Sequence, residues 1–240
     1  MAKTLQEWID TDVQSVKDQP MRWLAQHYFF RDPIRPIYSD ASLFFAPADG
    51  IVLYALRVRA DESIVDIKGK SYSLRDALRD PTYDRDSLVI GIFMTFYDVH
   101  INRVPYAGRL AWKELEPIDT HNLPMLDMEK NLLDGLRIAT EGASYLHQNQ
   151  RMLNRIYAPS LRQNYYVLQI ADYDVDCITP FELKQNRHFA QNQRFSQIRF
   201  GSQVDLIVPL SDSHRLTVLV DVGTHVEAGL DPVVRVDPLL

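Results

Sequence analysis

The longest apolar stretch of this 240-residue chain, residues 89–97, most limits what the chain can fold into. Gly91 and Thr95 interrupt it, and it falls far short of the roughly 20 apolar residues that a membrane-spanning helix needs. A short run rich in β-branched and aromatic residues is instead typical of a buried strand. The chain is therefore expected to fold around a water-excluded core.

Similar strand-like runs recur along most of the chain and are separated by proline, glycine and polar residues. These runs lie at 51–58, 64–67, 88–96, 108–112, 165–170, 197–200, 204–209 and 216–222. Between them, residues 115–126 are typical of a long polar connection, and residues 128–146 of a helix or a partly ordered loop. The pattern predicts an α+β fold that is mostly β.

The N-terminal residues have a different pattern. Apolar residues recur at three- and four-residue spacing from Leu5 to Val16, which predicts an amphipathic helix that ends before Pro20. A second short helical run follows, and both helices pack on the core or lie in a membrane interface. We expect a helical extension at 1–28 and one larger domain at 29–240.

Charge and cysteine content restrict the partners and the compartment. The chain has 26 basic and 32 acidic residues, a net charge of −6, which argues against nucleic-acid binding. Its single cysteine, Cys177, excludes an internal disulfide and a multi-cysteine zinc site. Cys177 has acidic neighbours, which favours a buried, inert thiol over a nucleophile. Together with the lack of an apolar signal sequence, this predicts a reduced, cytoplasmic setting.

The segment after the longest apolar run contains a candidate acid or base. Strand alternation would place Asp98, His100 and Asn102 on one face. A histidine between polar neighbours at a strand end can serve as an acid, a base or a ligand, although an ordinary hydrogen-bonded histidine has the same pattern.

Two further patches are unusual but have plain structural interpretations. Asp49 lies in a Pro/Gly turn that opens a strand, where a solvated turn residue is common. Gly201 and Ser202 lie between two strand-like runs, where a bulge or tight turn is the ordinary interpretation. The latter pair is not a hydrolase elbow, and the chain has neither a phosphate-binding loop nor a zinc-helix motif. No histidine or carboxylate pair has metal-ligand spacing, so no metal is expected.

Taken in order, these patches resemble the short-form phosphatidylserine decarboxylases, including archaetidylserine decarboxylases. The resemblance covers residues 29–236. Its motifs are FFRDP at 29–33, APADG at 46–50, IKGKSYSL at 67–74, FMTFYDVHINRVPYAG at 93–108 and RFSQIRFGSQVD at 194–205. The chain departs from the usual pattern at Thr95 and Phe96, where the family has Ser-Pro. It also has Arg103, where long forms have a second histidine of the self-cleavage triad and short forms commonly have arginine.

The resemblance implies a precursor that cuts itself between Gly201 and Ser202. Ser202 would become a pyruvoyl group at the start of an α chain, 202–240, and leave a β chain, 1–201. The pyruvoyl keto carbon would condense with the substrate amine as a Schiff base, so that the α-carboxylate leaves as CO₂. By the same resemblance, Asp49 assists cleavage by orienting groups or accepting protons.

Two residues are assigned to the substrate. His100 is expected to hydrogen-bond it and to protonate the carbanion, because a histidine pKa lies near working pH. Arg103 is expected to hold a carboxylate or a phosphate through its planar fork.

The implied fold is a β-sandwich with a swapped hybrid-barrel motif and peripheral N-terminal helices, and the implied assembly is a homodimer. The substrate that the resemblance implies is an amino-phospholipid, and the alternative is a soluble amino acid or small metabolite on the same scaffold. A non-processing homologue that only binds its ligand is a further alternative. A peripheral contact with the inner face of the membrane would use a surface formed by Trp8, Met21, Trp23, Leu24, Phe29 and Phe30.

Overall fold

The computed structural model describes residues 2–37, 39–118, 121–173, 177–199 and 202–239. Strands dominate these residues. They are β1 (Lys3–Thr4), β2 (Leu43–Phe45), β3 (Gly50–Val58), β4 (Ser63–Ile67), β5 (Lys70–Ser73), β6 (Ser87–Met94), β7 (Ile101–Arg103), β8 (Gly108–Leu115), β9 (Arg151–Ala158), β10 (Gln163–Ala171), β11 (Ile178–Pro180), β12 (Arg187–Phe189), β13 (Arg194–Ile198), β14 (Ser202–Pro209), β15 (His214–Val218), β16 (Thr224–Val226) and β17 (Pro232–Pro238).

Helices are short and lie mainly near the N-terminus and in the middle of the chain. They are α1 (Leu5–Trp8), α2 (Gln14–Val16), α3 (Met21–Trp23), α4 (Leu74–Leu78), α5 (Leu126–Leu133) and α6 (Tyr145–Gln148). Two π-helical segments, Ile9–Val13 and Leu24–Tyr28, join or extend the N-terminal helices, and Thr140–Gly142 is a 3₁₀ turn. None of the helices in the described part of the chain is long and apolar enough to span a membrane.

A nine-stranded antiparallel sheet forms the centre of the molecule, in the order β1-β16-β3-β6-β14-β10-β9-β8-β12. Two three-stranded sheets, β11-β13-β7 and β15-β17-β2, and the β4-β5 hairpin complete the strands that are described. The predicted α+β, mostly β class is therefore confirmed.

The two faces of the main sheet pack against different layers. In β6, Ile90 and Ile92 face one hydrophobic cluster, whereas Val89 and Phe93 face the other, as the two-residue period of a strand requires. The first cluster includes residues of both three-stranded sheets and gives a sandwich. The second includes residues of the N-terminal helices, the β4-β5 hairpin, α4 and α5.

The N-terminal residues belong to this second layer. Lys3 and Thr4 pair with β16 at the edge of the main sheet, and Trp8 and Val13 are buried against it. Helical structure appears where the apolar periodicity predicts it. Thr4 caps α1 through its side chain, and Glu7 completes the capping box.

Several strands differ from the sequence prediction; for example, the run expected at 216–222 ends at Val218, and the short strands β5, β7 and β12 were not expected. The run expected at 88–96 ends at Met94, because a turn closes there. Strand β9 was missed, since Arg151 and Asn154 interrupt its apolar pattern. Both of these polar side chains are buried with hydrogen-bond partners, which local periodicity does not reveal.

Candidate active site

Ser202 begins the central strand β14, and its side chain is fully buried. It pairs in register with Met94 at the end of β6 and with Ala171 at the end of β10. Its hydroxyl lies 3.2 Å from the Met94 sulfur, which is a weak acceptor. The predicted nucleophile is thus shielded from water and weakly held. Gly201, the other half of the predicted cleavage site, lies outside the described residues.

A chain of buried amide side chains extends from the Met94 sulfur. Asn102 Nδ2 contacts that sulfur at 3.6 Å, and Asn102 Oδ1 accepts a 2.6 Å hydrogen bond from Gln169 Nε2. Asn154 Nδ2 donates to Gln169 Oε1 at 2.8 Å. Buried amides are costly to leave unpaired, so this chain fixes the orientation of Asn102 beside Ser202. Sequence reasoning missed Gln169 and Asn154, whose only signal was a polar residue within a buried strand.

The residues between β6 and β7 form a tight turn. Asp98 N donates to Thr95 O at 3.0 Å. Asp98 Oδ2 accepts from Thr95 N at 2.7 Å and from Thr95 Oγ1 at 2.8 Å. The prediction that strand alternation places Asp98, His100 and Asn102 on one face is therefore wrong. Local side-chain hydrogen bonds end strand β6 at Met94, immediately before Thr95, even though Thr95 is β-branched.

His100 follows this turn and is fully buried. Its Nδ1 lies 3.0 Å from the backbone oxygen of Asp98, and its ring stacks on Phe29 with centroids 3.9 Å apart. Burial lowers the pKa of His100 to about 4, so the ring is neutral near pH 7. Its Nε2 is buried and has no hydrogen-bond partner among the described residues. A neutral imidazole with a free nitrogen can accept a proton.

Asp98 is also ion-paired with a second histidine, His225 of β16. His225 Nε2 lies 2.7 Å from Asp98 Oδ1. Burial alone would lower the pKa of His225, but the charge and hydrogen bond of Asp98 outweigh it and raise that pKa. Burial would likewise raise the pKa of Asp98, and the charge of His225 with the donors of His225 and Thr95 lowers it. Sequence reasoning missed His225, which is 127 positions from Asp98.

Asp49 immediately precedes β3 and forms a bidentate ion pair. Arg35 donates to both carboxylate oxygens, each at 2.6 Å, and Ala228 N donates to Oδ1 at 2.7 Å. With Asp49 only 3% exposed, the interpretation as a solvated turn residue is wrong. Donors occupy both carboxylate oxygens, so these contacts favour an orienting role for Asp49. Arg35 was not recognised in the sequence.

Arg103 lies at a pocket of about 220 Å³. Its Nη1 donates to Asn192 O at 3.0 Å, and its Nη2 lies 3.8 Å from Asp32 Oδ1. Arg194 pairs with the same Asp32, so two guanidinium groups share one carboxylate. Burial, followed by the nearby charge of Arg35, lowers the pKa of Arg103. The pocket therefore carries surplus positive charge.

Strand register brings these residues to one end of the main sheet. Ser202 begins β14 opposite the last residue of β6, and β3 begins beside the same end of β6. Gly50 makes this approach possible, because a Cβ there would lie 2.1 Å from the backbone oxygen of Phe93. The charge of Asp49 acts on His100, where it opposes the larger effect of burial on the pKa.

Arg103 belongs to the same region, since its backbone N donates to Pro47 O at 2.9 Å. The structure thus groups the predicted residues Ser202, His100, Asp49 and Arg103.

The fold and this grouping of residues define the class of protein. The family model for phosphatidylserine decarboxylase matches residues 25–233. The match spans both ends of the site, from the segment that contains Arg35 to the strand that begins at Ser202. The chain belongs to the phosphatidylserine decarboxylase family, which is a family of carboxy-lyases.

Individual relatives give the same assignment. A protein of Methanothermobacter thermautotrophicus, named as an archaetidylserine decarboxylase proenzyme, is 30% identical over 210 residues, which are 88% of this chain and 80% of that protein. The phosphatidylserine decarboxylase proenzyme of Ralstonia pickettii is 30% identical over 209 residues, 87% of this chain and 77% of the relative. That of Chlorobium phaeobacteroides is 27% identical over 191 residues, 80% and 70% of the two chains. The resemblance drawn from the motifs is confirmed.

Proposed function

We propose that this protein is a self-processing, pyruvoyl-dependent decarboxylase of phosphatidylserine or a related lipid. It removes CO₂ from the serine head group and leaves the ethanolamine form. The observation that carries the proposal is the position of Ser202, a buried serine that begins the central strand β14 and lies beside the end of β6. The turn that follows β6 leads to His100. The names of the relatives support the same activity.

Processing begins with attack of Ser202 Oγ on the Gly201 carbonyl, which replaces the peptide bond by an ester. Elimination releases the carboxylate of residue 201 and leaves dehydroalanine at position 202. Water then replaces its nitrogen, ammonia leaves, and a pyruvoyl group remains at the new chain start. Such a group supplies the carbonyl that accepts electrons during decarboxylation. The described residues fit it, because position 202 is fully buried beside the Met94 sulfur and close to the amide of Asn102.

His100 is proposed to carry the proton. Its Nε2 is unprotonated near pH 7 and accepts a proton from the ammonium group of the head group. Burial holds the pKa of His100 at about 4, which makes the neutral ring a weak base and the protonated ring a strong proton donor. It then delivers this proton to the carbon that has lost CO₂. Phe29 stacks on the ring and excludes water from one of its faces.

Arg103 and Arg194 are proposed to bind the lipid phosphate. Among the described residues, the two guanidinium groups share Asp32 as their carboxylate partner, so an anion entering their pocket would meet surplus positive charge. A planar guanidinium binds phosphate oxygens in pairs, which also fixes the orientation of the head group.

Exposed apolar side chains around this pocket suit the acyl region of a lipid. Ile34 and Ile37 line the pocket and are 102% and 71% exposed. Of the surface predicted from the sequence, Met21, Trp23 and Phe30 are exposed. The inclusion of Trp8, Leu24 and Phe29 was wrong, because these three residues are buried in the core and against His100. The corrected surface supports a peripheral membrane contact.

We further propose a cytoplasmic protein at the inner face of the membrane that forms a homodimer. The exposed apolar residues support the membrane contact, and the homodimer rests on the family resemblance. Vesicle flotation tests the membrane contact. Light scattering tests the homodimer by comparing the mass in solution with the chain mass of 27.8 kDa.

Intact mass under denaturing conditions tests self-processing. The parent is expected to give two fragments, 1–201 and the 39 residues 202–240 with a blocked start. Ser202→Ala should remain one full-length chain without decarboxylase activity. Ser213→Ala, an exposed serine of the same fragment, should behave as the parent. A parent that stays uncut after prolonged incubation would indicate a non-processing binding homologue, and decarboxylation by Ser202→Ala would overturn the mechanism.

Release of CO₂ from phosphatidylserine vesicles, compared with free serine and phosphoserine, identifies the substrate. Activity on the vesicles alone supports the lipid assignment, whereas activity on a soluble compound alone contradicts it. Arg103→Lys should raise KM for the lipid roughly tenfold with a smaller change in kcat, because it loses paired hydrogen bonds to an anion. The exposed Arg235→Lys is the matched control. A loss in kcat alone would remove Arg103 from the binding role.

A further inference from the structure

Asp98 connects two buried histidines through different atoms. Its carboxylate Oδ1 lies 2.7 Å from His225 Nε2, and its backbone oxygen lies 3.0 Å from His100 Nδ1. The second carboxylate oxygen accepts two hydrogen bonds from Thr95. All four residues are at most 5% exposed. The turn before His100 is therefore held by buried contacts on both sides.

This arrangement determines which nitrogen of His100 carries the proton. A carbonyl oxygen only accepts hydrogen bonds, so the neutral ring is protonated at Nδ1, where it faces Asp98 O. Nε2 then holds the lone pair. A shift of the Asp98 backbone would remove the acceptor from Nδ1 and release the ring to exchange its proton between both nitrogens.

We infer that His225 is a positioning residue for His100. By pairing with the Asp98 carboxylate, His225 holds the turn, and the Asp98 carbonyl in turn fixes the tautomer and the orientation of His100. This inference rests on the proposed function, in which Nε2 of His100 carries the proton. His225 acts through Asp98 and is not placed at the reacting atoms.

His225 is itself held by the N-terminal residues of the chain. Its ring stacks on Trp8 with centroids 4.8 Å apart and planes inclined by 12°. Its backbone lies between Lys3 of β1 and Ile51 of β3 in the main sheet. The amphipathic N-terminal segment thereby contributes to the order of the active site.

The charges around His225 favour its protonated form. Asp98 is the dominant one, and the carboxylates of Asp49 and Glu227 act in the same direction on the pKa of His225. Asp12, on the N-terminal segment, is close enough for the charge of His225 to contribute to lowering the pKa of Asp12. Lys3 is the basic residue of the neighbouring strand, and its ammonium group pairs with Asp12 at 2.5 Å.

The contact between His225 and Asp98 also joins the two fragments that the proposed cleavage would produce. His225 lies in the fragment 202–240, whereas Asp98, His100 and Trp8 lie in the fragment 1–201. The fragment that carries the reactive position thus also supplies the residue that orients the histidine of the other fragment.

Three substitutions at position 225 test the role. His225→Leu removes the donor to Asp98, His225→Gln keeps a donor of similar reach, and His225→Asn keeps an amide that is too short. The exposed His188→Gln is the matched control. Activity is expressed per mole of cleaved chain, determined by intact mass, so a processing defect is separated from a turnover defect.

We expect His225→Leu and His225→Asn to lower kcat roughly tenfold to a hundredfold with KM nearly unchanged, because small displacements of a catalytic group have effects of this size. His225→Gln should recover most of kcat. In ¹⁵N-labelled protein, the parent and the Gln variant should show His100 protonated at Nδ1, and the Asn and Leu variants a mixture of tautomers. Unchanged kcat and an unchanged ¹⁵N pattern in the Asn variant would overturn the inference.

The design remains decisive if a variant or the proposed function fails. If His225→Leu does not fold, the comparison of Gln with Asn still decides, since both are small polar side chains. If the parent does not cut itself or release CO₂, the proposed function fails. The ¹⁵N measurement on uncut protein then still shows whether His225 sets the tautomer of His100, and an unchanged pattern there would reject the positioning role.

Discussion

Two carboxylates of this molecule, Asp98 and Asp205, are equally buried, but their pKa values are shifted in opposite directions. Asp98, at the active-site end of the sheet, is paired with His225, and its pKa is lowered. Asp205, on the strand that starts at Ser202, accepts hydrogen bonds from the neutral groups of Tyr54 and Gln203 at 2.9 and 2.8 Å. Burial raises the pKa of Asp205 to about 6.

The difference shows that the partner, and not the depth of burial, decides whether a carboxylate stays charged inside this protein. Asp205 Oδ2 has no hydrogen-bond partner among the described residues. A charge in that position is costly, whereas the cation next to Asp98 offsets the same cost. The pKa of Asp98 is therefore lowered, whereas that of Asp205, three residues after Ser202 on the same strand, is raised.

Removing a cation from the active-site end should have the largest effect. Arg35→Met leaves Asp49 buried with only the Ala228 amide as a described donor and should lower the free energy of unfolding by about 3–5 kcal/mol. Urea denaturation at pH 7 measures it, with the uncut Ser202→Ala chain as background. Arg235→Met, which breaks the exposed pair with Asp237, is the control and should cost no more than about 1 kcal/mol. Equal costs for the two variants would contradict the comparison.

Neutralising Asp205 should have the opposite effect. Its folded pKa of about 6 lies above the usual value of 3.8, so the folded state keeps this proton longer than the unfolded state. The parent therefore loses stability as the pH rises from about 4 through about 6, by about 3 kcal/mol for a shift of roughly two units. Asp205→Asn removes this loss, so it should be more stable than the parent at pH 8 by this order and should lose that advantage near pH 4.

Urea denaturation of both proteins over this pH range, again on the Ser202→Ala background, gives the difference. The exposed Asp221→Asn is the control and should change nothing. If the difference in free energy of unfolding between the parent and Asp205→Asn does not depend on pH, ionisation of Asp205 does not destabilise the folded protein, and the comparison fails.

A smaller effect of the same sign is expected at Glu129 of α5. Glu129 Oε1 accepts from Phe96 N at 2.8 Å, and burial raises its pKa to about 7. Its side chain is only partly buried, so solvent reduces the cost of the charge. Glu129→Gln keeps the acceptor and should stabilise the protein by about 1 kcal/mol at pH 8 and not at pH 5. Thermal unfolding at the two pH values checks it, and stabilisation at pH 5 would be the contrary result.

Local patterns predicted much of the fold and the centre of the site. Strands β3, β10 and β14 have clear apolar runs. Ser202 and His100 lie in motifs whose order along the chain indicated the family. These features are local because backbone conformation and two-residue periodicity are properties of neighbouring residues.

What remained hidden depends on distant pairs. Arg35 is 14 positions from Asp49 and His225 is 127 positions from Asp98, and neither pair has a sequence signature. Gln169 resembles any polar residue of a strand until Asn102 is placed beside it. The turn at Thr95 was missed because the strand propensity of a β-branched residue was weighed without the Asp98 hydrogen bonds that override it.

The central position of β14 has a consequence for the order of events in the life of the chain. A cut before Ser202 would leave a folded molecule held together by the strands on either side, β6 and β10. It would also remove the covalent link that keeps the two pieces at high effective concentration. Once unfolded, the cut protein would have to reassemble from two separate molecules, at a rate that depends on dilution, whereas the uncut chain needs no encounter. Maturation would thus be a one-way step: a chain that folds readily by itself becomes one whose folded state, once lost, is hard to recover.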